Sequence, residues 1–76
     1  MSNLKTYTGR VSEQVVARGS KSERLAYVLT TEDGCGHVLS YRGEGAYPEL
    51  VVGEKYKVEG LMMDGELMFV HYEIVR

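Results

Sequence analysis

The stretch "KTYTGRVSEQVVA", residues 5–17, carries a strand pattern with a fault in it. Tyr7, Gly9 and Val11 alternate with Thr6, Thr8, Arg10 and Ser12, the period of two that gives a strand two faces. Gly9 interrupts the run, and Val15 and Val16 then break the alternation. A glycine inside a long strand, followed by a slip in period, predicts a bulge or a sharp bend. Long bent first strands let a small sheet turn a corner and close on itself.

Working outward, β-branched and aromatic runs lie between clusters of Gly, Asp and Ser. They give five strands, at residues 5–17, 24–31, 36–42, 54–63 and 67–75. The pattern holds no convincing amphipathic helix, repeat or low-complexity segment, so residues 1–76 read as one domain. The insert "GEGAYPELVVG", residues 43–53, has room for at most one helical turn, opened by Pro48.

Two turns set the registers. Around "MMDGEL", a two-residue Asp64–Gly65 loop would pair Tyr56 with Glu73 and Val58 with His71, mixing charge and core on each face. A three-residue Met63–Asp64–Gly65 loop pairs Tyr56 with Tyr72, Val58 with Val70 and Gly60 with Met68. It puts Lys55 against Glu73 and Lys57 against His71 on the other side, and this register is the expectation, because a one-residue slip reverses every side chain. It leaves Leu61, Leu67 and Phe69 on the outer face, with Met63 at the tip. At "TTEDGCGHV", a three-residue Glu32–Asp33–Gly34 loop pairs Tyr27 with Leu39 and buries Tyr41. A two-residue loop pairs Leu29 with Val38 and can turn Tyr41 outward; the pattern does not choose.

Nine Lys and Arg against eleven Asp and Glu leave a net charge of −2, which argues against binding by blanket phosphate neutralisation. A local basic patch is still allowed, since distribution sets the field as much as the sum does. One cysteine, Cys35, cannot form an internal disulfide, which suits a reducing compartment. Residues 1–9 contain no apolar leader core, and no run nears the roughly 20 residues that span a bilayer. A cytoplasmic location without membrane attachment is the expectation. Cys35, His37 and His71 are too few and too scattered for a structural zinc site, so no metal or cofactor is expected. A barrel this small fills its interior with side chains, and no catalytic motif is present, so enzymatic activity is not expected.

Five short antiparallel strands, a long bent first strand and a short insert before the fourth resemble the OB-fold, the five-stranded Greek-key barrel. The residues that carry the likeness are "GRV" in strand one, "AYVLTTEDG" in strand two and "VVGEKYKVEG" entering strand four. An SH3-like barrel has the same strand count but usually places a helical turn before its last strand, where this chain has the tight "MDG" turn. The resemblance implies a ligand face over strands two and three, walled by "RGSKSER" and "MMDGEL". On that reading Arg18, Lys21, Arg24 and Arg42 would contact the backbone of a single-stranded DNA or RNA, and Tyr41 or Tyr27 would stack a base. Asp64 and Glu66 on the second wall oppose phosphate. The alternative is a protein partner or homo-oligomer using Leu61, Leu67 and Phe69.

Overall fold

The computed structural model describes residues 4–76. They form β1 (Lys5–Val16), β2 (Arg24–Thr31), β3 (Gly36–Tyr41), β4 (Lys55–Met63) and β5 (Glu66–Ile74), with no helix among the described residues. Each expected strand is present to within about a residue at either end. The sheet closes on itself in the order β1-β2-β3-β5-β4, with β3 and β5 the one parallel pair. Among the described residues no helix is long and apolar enough to cross a membrane.

β1 serves two partners, because Lys5–Arg10 pairs with β4 and Gly9–Val16 pairs with β2. The hand-over falls at Gly9. A Cβ there would sit 2.7 Å from the Thr30 carbonyl carbon, so glycine is what lets the β2 backbone close the corner. Of the two alternatives, a bulge or a sharp bend, the bend at the Gly9 corner is the one present, since the ladder with β2 runs unbroken from Gly9 to Val16. Val15 and Val16 break the alternation for a different reason. That end of the hairpin lies beyond the core, and both Val15 and its partner Leu25 are exposed.

The β2–β3 turn takes the three-residue form, with Val28 opposite Val38 and Thr30 opposite Gly36. Gly34 supplies the left-handed residue at φ 86°, and the Thr31 N–H donates to the Cys35 carbonyl at 2.9 Å. Asp33 accepts from the Thr31 hydroxyl and from the Cys35 N–H, and these bonds hold its carboxyl below the ordinary value.

The β4–β5 register departs from the expectation. The loop is the two-residue one, with Asp64 at φ 51° and Gly65 at φ 78°, the two left-handed residues of a type I′ turn. Met63 therefore faces Glu66 and Gly60 faces Phe69. A bulge between Glu59 and Gly60 then shifts the ladder, and beyond it Val58 faces Tyr72 and Lys57 faces Glu73. Near the turn this puts Leu67 and Phe69 inside, each fully buried, rather than on the outer face. Beyond the bulge the expected faces are restored, so Tyr56 and Val58 still point inward.

The core is Val11, Leu29, Leu39, Leu50, Tyr56, Val58, Leu67 and Phe69. Burying each large side chain contributes about 1.5–3 kcal/mol, which is the main term a domain this small has. Leu50 comes from the β3–β4 connector, which plugs the ring with no helical turn at Pro48, within the limit of at most one. The connector is fastened at both ends of its return. The Val51 N–H donates to the Tyr56 hydroxyl at 3.0 Å, and Gly53 and Glu54 bond to the Val11 backbone at 2.8 and 3.0 Å.

Candidate nucleic-acid interface

The β1–β2 loop, residues 17–23, owes its shape to its own hydrogen bonds. Ala17 at φ 55° and Gly19 at φ 82° turn the chain back, and Ser20 returns both its N–H and its hydroxyl to the Ala17 carbonyl, at 3.1 and 2.7 Å. Glu23 accepts from the Gly19 N–H at 2.8 Å, tying the loop across its neck. Arg18 and Lys21 stand exposed on this frame, with the Glu23 carboxylate two residues beyond Lys21.

Arg24 opens β2 and points over the sheet. One guanidinium nitrogen lies 4.0 Å from Glu66, the first residue of β5, with side chains 51% and 34% exposed. The pair is solvated, so it contributes little to stability. It does bring together the bases of the two expected walls, the β1–β2 loop and the β4–β5 turn. It also spends part of the arginine's charge on a carboxylate.

Between β2 and β3 the ring is not fully laddered. β2 runs from Arg24, but its pairing with β3 stops at Val28. The opening is occupied by Tyr47, a connector residue, whose hydroxyl donates to the Leu39 carbonyl at 2.8 Å. Its ring lies 5.8 Å from that of Tyr27 and remains 46% exposed. Burial, reinforced by Tyr27, pushes the Tyr47 hydroxyl up to about 12, so it stays a protonated donor at neutral pH. Arg24, Leu25, Ala26, Tyr27, Leu39 and Tyr47, together with Ser40 and the carboxylate of Glu13, line a groove of about 480 Å³ here.

Tyr41 is not the exposed plane anticipated as one option. It packs against the core 5.3 Å from Phe69, and its hydroxyl donates to the Glu44 carbonyl at 3.0 Å. Gly43 makes room for it, since a Cβ there would lie 2.6 Å from the ring carbon bearing the hydroxyl. Arg42 is exposed but lines a different groove from Arg24, its Nε 3.2 Å from the Met68 sulfur. The sequence reading missed Tyr47, although a tyrosine beside the chain's one proline was its visible mark. Among the described residues no cluster of three or more His, Cys, Asp or Glu is placed to hold a metal ion.

No protein-family model matches the chain, and no curated protein or solved structure matches it either.

Proposed function

We propose that this chain is an OB-like β-barrel that binds single-stranded nucleic acid in the groove beside Tyr47. The observation that carries the reading is the groove's lining, in which one arginine and two tyrosine rings meet at the gap between β2 and β3. A base can lie on the half-exposed Tyr47 ring while Arg24, Lys21 and Arg18 follow the phosphates away from it. Stacking on an aromatic contributes about 1–3 kcal/mol and tolerates any base, so the binding is expected to be weakly sequence-selective. Support for the barrel type comes from the ring order β1-β2-β3-β5-β4 and from the meeting of Arg24 with Glu66, which brings the loop and the hairpin to the same face.

The charge sets a limit on strength. Three cations give a salt slope of about −2 in log K against log salt for a single strand. Glu66, Glu23 and Glu13, the last in the groove's own lining, reduce the effective charge further, so affinity in the micromolar range is expected. The test is a fluorescence-anisotropy titration of labelled single-stranded DNA and RNA at two salt concentrations. Saturable binding is expected at low salt. Arg18→Ala with Lys21→Ala should lower the slope by about 1.4, and Tyr47→Ala should cost about 1–3 kcal/mol without changing it. Absence of binding at low salt, where the electrostatic term is largest, would refute the proposal.

A further inference from the structure

The β4–β5 hairpin is apolar on both faces near its turn. Leu67 and Phe69 go to the core, while Leu61, Met68 and Val70 are half-buried and Met63 is exposed. Together with Leu4 these line a groove of about 360 Å³. Its remaining lining residues are Arg42 and Asp64, one cation and one anion. Among the described residues neither is in an ion pair, the two salt bridges being Arg24–Glu66 and Lys55–Glu32.

We infer that this groove is the contact face of a weak, twofold-symmetric dimer of the chain. An isologous interface needs a patch that complements itself, so that residue i meets residue j and j meets i. An apolar strip carrying one unpaired positive and one unpaired negative charge meets that need. Arg42 of each copy faces Asp64 of the other, and the methionine and leucine side chains fill the space between. Met63 and Met68 suit such a contact because their unbranched thioether chains adapt to an imperfect surface. The net charge of −2 sets little repulsion between copies. β4 is paired on both sides up to Gly60 and β5 from Glu66 to Phe69, and the groove is lined by side chains, so the contact is made by side chains rather than by an added strand.

Size decides the strength. A stable complex engages about 20–30 residues a side, and this strip offers far fewer apolar ones. The dimer is therefore concentration-dependent, populated toward the millimolar range. The contact shares no lining residue with the Tyr47 groove and is read by self-association rather than by oligonucleotide titration, so its failure and that of the nucleic-acid reading are distinguishable.

The test is sedimentation equilibrium of the full chain from low micromolar to millimolar concentration. A reductant must be present, because Cys35 is exposed and can form an adventitious disulfide. The expected result is a rise toward twice the monomer mass. Met63→Lys, at a side chain already 52% exposed, should abolish the rise while leaving the circular dichroism unchanged. Arg42→Glu should weaken association about tenfold or more, and adding Asp64→Lys should recover much of the loss. A monomer at every concentration would overturn the inference. So would a dimer indifferent to Met63→Lys and Arg42→Glu, since it would use another face.

Discussion

Gly60→Ala is the substitution that bears most directly on how the ring closes. Gly60 is buried at the β4–β5 bulge, and an added Cβ would run into the Met68 carbonyl oxygen, 2.7 Å from the Phe69 Cα and 2.8 Å from the Met68 carbonyl carbon. All three are backbone atoms, so no rotamer change relieves the overlap and β5 itself must move. Overpacking typically costs about 1–3 kcal/mol, and a backbone obstacle belongs at the upper end. Alanine restricts the unfolded chain and returns about 0.4–1 kcal/mol. The net loss is then about 2–3 kcal/mol. At about 0.05–0.15 kcal/mol per residue, a chain of 76 residues has only about 4–11 kcal/mol to lose. The Tm should fall by roughly 8–24 °C. Gly36→Ala is the control, since it shares the unfolded-state term but its Cβ meets side chains alone, Val28 at 3.3 Å and the Thr30 hydroxyl at 4.0 Å. Urea and thermal unfolding of both variants, followed by circular dichroism, give the comparison. Equal stabilities for the two would refute the bulge and the close strand approach inferred from it.

Face parity in β5 can be read from single truncations. Phe69→Ala should cost about 3–5 kcal/mol and Leu67→Ala about 2–5, while Met68→Ala, on the outer face, should cost clearly less in the same urea titrations. Tyr47→Phe removes the hydroxyl from the Leu39 carbonyl and should cost about 1 kcal/mol by chemical denaturation. The same hydroxyl predicts an alkaline limit. Its folded value, about 12, lies above the ordinary 10.0, so the stability tied to its protonated form is complete below pH 10 and is lost as pH rises toward 12. Unfolding followed across that range should show the decline in the wild type and a smaller one in Tyr47→Phe.

Strand positions were legible because each is bounded by turn chemistry that has few readings. The Asp-Gly turns end β2 at Thr31 and β4 at Met63, and Gly9 marks the corner because no other residue permits the approach of Thr30. The β4–β5 register was not legible, for a specific reason. In "ELMFV" both sets of alternate residues are apolar near the turn, so counting hydrophobic side chains cannot say which set is inside. The bulge then shifts the ladder once more, and a pattern argument that assumes constant register fails on both counts. The loop cations are where the sequence placed them, exposed around the start of β2. The aromatic partner is not, because Tyr47 reaches the groove only when the connector folds back across β3, a long-range event without a local signal. Tyr41 was open to two placements, and the three-residue β2–β3 turn selects the one that ties it to the core.

The most direct test of the account is to follow backbone amide resonances of the chain while a short single-stranded oligonucleotide is added. The account predicts saturable shifts confined to the loop at 17–23, to β2 from Arg24 to Tyr27, and to Leu39, Ser40 and Tyr47. Shifts centred on Leu61, Met68 and Val70, or none at low salt, would contradict it.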